Sequence, residues 1–160
     1  MTEPATVSGT PSQAPYARVV DPLPLESSEH NKLHPFYAHL AEGRLTTTRC
    51  RDCGRTDWPP RGFCPACTSD AFEWVDLPSA GRIHGFTVQE TGVPAGFRRP
   101  LVLAIVEVAG HRVFAPLVDV PDPGALAVGA RVRLAPVRVA DDPQGQPRYL
   151  PAFTPEASPR

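Results

Sequence analysis

Lysine is all but missing from this chain: Lys32 is the only one, so positive charge rests on arginines scattered along 160 residues, and the formal net charge is -1. Phosphate-binding surfaces concentrate their cations, because affinity comes from neutralising several phosphates together. No such basic run occurs here, which argues against a dedicated nucleic-acid protein. Also missing is a basic segment followed by an apolar one at the N-terminus, and no stretch is long and apolar enough to cross a bilayer. The expected location is the cytoplasm, with no membrane partner. The motifs that announce catalysis are missing too: there is no G-x-S-x-G elbow, G-x-G-x-x-G turn, phosphate loop or H-E-x-x-H pair. The five histidines, His30, His34, His39, His84 and His111, show no spacing with acids that builds a triad, and each reads as a surface or hydrogen-bonded histidine. No catalytic residue is assigned. Binding is the expected role.

What is present is enough apolar sequence for one principal core, since 41% of residues are hydrophobic and 21% charged. Residues 1–30 stand apart. Pro4, Pro11, Pro15, Pro22 and Pro24 lie there among small polar residues, a composition that buries too little apolar surface to offset chain entropy, so a flexible tail is expected. From Asn31 to Glu42, the residues Leu33, Phe36, Tyr37, Leu40 and Ala41 recur at i, i+3, i+4, i+7 and i+8, one face of a helix. Pro35 is tolerated in the first turn, and Gly43 supplies a left-handed stop. This unit, residues 31–45, places its apolar stripe either on its own domain or on a partner.

From Gly81 the pattern changes to short strands: Gly81–Gln89, Leu101–Val108, His111–Val118, Ala130–Val139 and a last one around Arg148–Phe153. Ala109-Gly110 makes a tight hairpin, and Pro121–Val128 a turn or one helical turn. In the fourth strand the alternation changes phase across Pro136, as at a bulge or barrel corner. Strand two is apolar on both faces, which suits a central or partner-covered strand. A five-stranded, partly open barrel of the OB type fits this spacing. The fold class expected is mainly β: the helix, a zinc ribbon over 46–77, an OB-fold over 78–154 and a short tail over 155–160.

The ribbon rests on two C-x-x-C knuckles, Cys50 with Cys53 and Cys64 with Cys67. Each short knuckle lets the backbone wrap a metal with both sulfurs inward, and four soft thiolates at tetrahedral geometry describe a closed structural zinc site, one Zn2+ per chain. Gly54 fits a tight turn beside the ion, and Arg49, Arg51, Arg55 and Arg61 offer positive charge near a dianionic centre. The alternatives are paired disulfides, which a cytoplasmic chain disfavours, and an iron site, whose knuckles are spaced further apart. Trp58, Phe63, Phe72 and Trp74 surround the ribbon and are expected to pack between it and the barrel.

The order of these features resembles a known family. A helix ending Leu40-Ala41-Glu42-Gly43-Arg44-Leu45, the first knuckle, Pro59-Pro60-Arg61, the second knuckle, Trp74 and a barrel ending Tyr149-Leu150-Pro151-Ala152-Phe153 is similar to the family catalogued as domain of unknown function thirty-five. The resemblance covers roughly Leu33 to Phe153. It implies a rubredoxin-like zinc ribbon joined to an OB-fold, and a partner: a thiolase-fold catalytic subunit of acyl-CoA metabolism, such as a lipid-transfer-protein-type thiolase or aldolase of sterol side-chain chemistry, in a hetero-oligomer such as a heterotetramer. Acyl-CoA is then met only within the complex. Some relatives associate instead with MaoC-type enoyl-CoA hydratases, so an accessory subunit of such an enzyme, or a CoA-binding module, is the second reading. An OB-type nucleic-acid binder, using Phe86, Phe114 and Tyr149, is the third. Partner or CoA contacts are expected from Phe97, Arg98 and Arg99 in the glycine- and proline-rich loop 91–100, and from Leu33, Phe36, Tyr37 and Leu40 on the helix.

Overall fold

The helical spacing produces α1 (His34–Ala41) in the computed structural model, which describes residues 31–93, 98–138, 141, 145 and 147–156. The helix is shorter than its apolar pattern because Asn31 opens it with a turn: its side-chain oxygen accepts the Leu33 N–H at 2.8 Å, and its carbonyl accepts that of His34. At the other end Gly43 takes φ +75°, and the N–H groups of Gly43 and Arg44 return to the carbonyls of Leu40 and His39. That paired return satisfies carbonyls the helix would leave open. Phe36 and Leu40, 8% and 1% exposed, enter the chain's own core, with Leu33 and Tyr37 half-buried.

A three-stranded antiparallel sheet follows, with β1 (Leu45–Cys50) between β2 (Thr56–Asp57) and β3 (Phe72–Leu77). Its centre is the run Thr46-Thr47-Thr48, all buried. Burying hydroxyls is tolerated only when they are bonded, and each of these is. Thr46 Oγ1 lies 2.9 Å from His39 Nδ1 on the helix, Thr47 Oγ1 donates to the Asp57 carbonyl, and Thr48 Oγ1 donates to the Arg61 carbonyl while accepting the Arg61 N–H. Three consecutive residues thereby fasten the helix, the neighbouring strand and the Pro59-Pro60-Arg61 segment.

The barrel consists of β4 (Ala80–Gln89), β5 (Leu101–Val108), β6 (His111–Leu117), β7 (Arg131–Leu134) and a closing strand, β10 (Phe153–Pro155), in the closed order β10-β6-β5-β4-β7. A small sheet of β8 (Val137–Arg138) with β9 (Tyr149–Leu150) lies outside it. Two expectations are corrected. The predicted fourth strand breaks at Ala135-Pro136, where the chain leaves the barrel to pair with β9, and the closing strand begins at Phe153 because Tyr149–Leu150 is committed to β8. The bulge falls instead at His84 in β4, between register pairs Ile83 with Val106 and Gly85 with Ile105. The predicted hairpin forms with Ala109 at φ +48° and Gly110 at +81°, the two positive values a tight twisted turn requires. Gly81 is needed for closure: a Cβ there would lie 2.6 Å from Val106 Cγ1 and 2.7 Å from the Glu107 carbonyl.

Ile83, Val106, Val113, Val132 and Phe153 fill the barrel and are essentially inaccessible to solvent. Phe36, Leu40 and Leu45 join the same cluster, with Trp58, Trp74 and Leu77 packed against it. Helix, ribbon and barrel therefore share one continuous apolar interior.

Candidate functional site

The two knuckles are built on one backbone frame. In the first, the Gly54 N–H donates to the Cys50 carbonyl at 3.0 Å and the Cys50 N–H to the Arg55 carbonyl at 2.8 Å; in the second, Thr68 donates to Cys64 at 2.9 Å and Cys64 to Ser69 at 2.8 Å. Gly54 and Thr68 occupy equivalent positions, both left-handed, at φ +73° and +62°. Glycine adopts that conformation freely, whereas a β-branched residue is strained in it. Thr68 Oγ1 donates to the Cys67 carbonyl at 2.7 Å, a bond available to it in this turn.

These frames bring all four sulfurs within 4.8 Å of one another, with Cys50 and Cys67 3.6 Å apart and Cys53 and Cys64 3.5 Å apart. Metal–sulfur bonds of about 2.3 Å in a regular tetrahedron separate the sulfurs by about 3.8 Å. A disulfide would need about 2.05 Å, and the four cysteines are free thiols. The residues present thus fit a tetrahedral zinc ion.

Electrostatics point the same way. The Cys50 sulfur accepts N–H groups of Cys53 and Asp52, and the Cys64 sulfur those of Cys67 and Ala66, which draws Cys50 below its ordinary value and Cys64 to about 7. The Arg55 and Ser69 N–H groups offer the same help to Cys53 and Cys67, but the facing sulfurs of Cys64 and Cys50 together with burial and the other nearby thiols outweigh it. Cys53 is raised and Cys67 pushed up to about 12. Four sulfurs this close cannot all hold negative charge without a cation among them. Of the nearby arginines, Arg49 is bound to Glu73 at 2.7 Å and Arg55 to Asp57 at 2.9 Å, so their charge is shared with carboxylates.

The aromatic residues divide. Trp58 meets Phe36 edge-on at 5.8 Å, and Trp74 meets His39 at 5.3 Å and Phe72 at 6.4 Å, forming a layer between helix and ribbon where packing between ribbon and barrel was expected. Phe63 does not join it. It is 59% exposed, because the second knuckle turns at the ribbon tip, where no other layer of the described residues covers it. His39, packed in that layer, is held below its ordinary value by burial and then by Arg44.

Of the loop residues, Phe97 lies outside the described residues, whereas Arg98 and Arg99 are exposed. They line an open groove of about 710 Å3 with Pro100, Leu101, Pro116 and Pro136. Phe86 and Tyr149 pack toward the core, leaving Phe114, 65% exposed, as the one of the three aromatics proposed for base stacking that faces outward. The buried threonines of β1 were not found from sequence, since a polar run carries no hydrophobic periodicity. No helix among the described residues is long and apolar enough to cross a membrane.

Comparison with known proteins places this arrangement among related molecules. Residues 38–73 match the family model described as ChsH2, rubredoxin-like zinc ribbon domain, and residues 74–137 that described as ChsH2, C-terminal OB-fold domain. The chain is 32% identical to the benzoylsuccinyl-CoA thiolase subunit BbsA of Thauera aromatica over 67% of its own length and 75% of the relative's. It is 33% identical to a DUF35 domain-containing scaffold protein of Methanothermobacter thermautotrophicus over 61% and 75%. Among solved structures it resembles a chain of the Ltp2-ChsH2(DUF35) aldolase, with TM-score 0.65 and 28% identity over 78% of this chain and 95% of that one. A DUF35-family protein from Sulfolobus solfataricus, 15% identical with TM-score 0.53, covers 82% of this chain and 90% of its own, and shares the fold.

Proposed function

The chain belongs to the family that joins a ChsH2 rubredoxin-like zinc ribbon to a C-terminal OB-fold, and from that premise we propose that it is the non-catalytic, zinc-binding subunit of a thiolase-fold acyl-CoA enzyme. The observation that carries this reading is the likeness, across ribbon and barrel together, to a protein named as a thiolase subunit and to a chain of an aldolase complex. One zinc ion per chain is held by Cys50, Cys53, Cys64 and Cys67. With all four positions filled by sulfur, it has no vacancy for substrate, so its contribution is to fold the ribbon.

In this reading the partner supplies the reacting groups and sets the acyl chain, whether a sterol side chain or a related acyl-CoA. The chain stabilises that partner, and Arg98 and Arg99 meet anionic groups near its substrate entrance through forked hydrogen bonds. The nucleic-acid reading is weakened by the inward packing of Phe86 and Tyr149, which among the described residues leaves no row of aromatics on which successive bases could stack.

The test is to produce this chain alone and together with the thiolase-fold protein encoded beside it. Co-elution, one zinc per chain, and thiolytic or retro-aldol turnover that requires both proteins are expected. Absence of a complex with that protein would overturn the proposal, and association with an enoyl-CoA hydratase in its place would reassign the chain.

A further inference from the structure

Strands of a closed barrel alternate between the interior and solvent, and on most of this barrel the outward positions are polar. On β5 and β6 four of them, away from Glu107 and Arg112 at one end, are not. Leu103 stands opposite Pro116 and Ile105 opposite Phe114, in alternate register pairs; Ala104 and Ala115 between them, and Val102 and Val113 to either side, point inward. The four outward residues form one apolar square. Phe114 is 65% and Ile105 37% exposed. In chain order these are the second and third barrel strands, the face OB-folds use for binding together with the loop between the first two strands. Here that loop ends in Arg98 and Arg99.

Charge identifies the occupant. Arg98 and Arg99 share the groove at the Pro116 end of the square, and at the other end Arg112 lies two register pairs beyond Phe114, directly opposite the exposed Glu107. None of the three has a hydrogen bond or ion pair among the described residues. An apolar centre with the guanidinium groups of Arg98 and Arg99 at one end is complementary to a protein surface with an apolar centre and carboxylates at the matching margin. Single-stranded nucleic acid is a poor match, since three of the four square residues offer no aromatic face.

We propose that the outward face of β5 and β6, centred on Ile105 and Phe114 and flanked by Arg98, Arg99 and Arg112, is the surface on which the catalytic subunit docks. This rests on the accessory-subunit reading above and adds the site of contact. The helix contributes less: Phe36 and Leu40 are covered by the chain itself.

The experiment titrates the zinc-loaded full chain into the co-encoded thiolase-fold protein by calorimetry. Phe114→Asp, Phe114→Ser and Ile105→Asp are compared with Val128→Asp, an exposed apolar position outside the square. A central anchor removed from such a contact weakens binding by about thirtyfold or more. That loss is expected for the first three with zinc content and melting temperature unchanged, and no loss for Val128→Asp. Arg98→Ala with Arg99→Ala should cost about three- to tenfold and flatten the salt dependence. Wild-type binding that all these variants retain would overturn the docking face and leave the accessory-subunit reading standing. No binding by the wild type would overturn both. A wild-type dimer dispersed by Phe114→Asp, or an oligothymidylate complex abolished by it, would give the face to another occupant and overturn the proposal as well.

Discussion

The ribbon and the barrel reach a fixed structure by different means. The barrel holds itself by burial: Val106, Val113, Val132 and Phe153 are fully enclosed, and each strand has a neighbour on both sides. The ribbon between Cys50 and Phe72 has only the two-residue strand β2 and a tip where Phe63 is exposed. Too few apolar groups meet there to hold the loops, so backbone turns aim four sulfurs at one point and a metal ion makes up the difference. The difference teaches that the two regions should fail separately, although the helix and β1 connect them through a common interior.

The sharpest break in that comparison comes from removing the metal. Chelation at neutral pH, or Cys64→Ser, should abolish amide exchange protection from Cys50 to Phe72 while the amides of β5 and β6 stay protected; hydrogen exchange read by mass spectrometry checks it. Loss of protection across the whole chain would mean that the regions fold as one. The converse is Phe153→Ala, which opens a cavity at the barrel's closing strand. A loss of about 3–5 kcal/mol in denaturant unfolding is expected, with the zinc retained.

Gly81→Ala should lower barrel stability by about 1–3 kcal/mol, because its methyl group would meet Val106 and the β5 backbone below contact distance. Thr68→Gly tests the ribbon in the opposite direction. Relief of a left-handed β-branched residue should raise its stability by about 1 kcal/mol, seen as slower zinc transfer to a chelator.

The smallest effect concerns the layer joining the regions. Burial holds the folded His39 below its ordinary 6.5, so the unfolded chain takes up this proton first. His39 therefore favours folding above pH 6.5, and that contribution is lost as pH falls through the folded value. Melting temperature measured from pH 7.5 downward should fall less steeply in His39→Gln than in the wild type. Equal slopes would remove His39 from the account.

Much of this was legible in the sequence, and its failures have physical causes. The knuckles were readable because metal ligation fixes residue type and spacing together. The helix and strands β5 and β6 were readable because one face of each is buried, and Ala109-Gly110 because a tight hairpin admits few residues. Thr46–Thr48 gave no signal, since their burial depends on hydrogen-bond partners 7 to 13 residues away. The fourth strand was drawn too long because its residues keep alternating after the chain has changed sheets at Pro136. Phe63 was placed inside on apolar character alone, and the geometry of the ribbon tip decided otherwise.

The repeated knuckle frame also makes the chain a gauge. Each sulfur is held by the backbone that precedes and follows it, so the spans of 3.5 and 3.6 Å between opposing thiols are dimensions of the polypeptide before they are dimensions of a coordination sphere. Zinc, with bonds of about 2.3 Å to sulfur, sets the sulfurs about 3.8 Å apart, whereas a wider ion such as cadmium would push the two loops further apart. Because β1 leads from Cys50 straight to the three buried threonines, that push would travel into the helix and the barrel behind it. The radius of the metal would then be registered at the far side of the molecule.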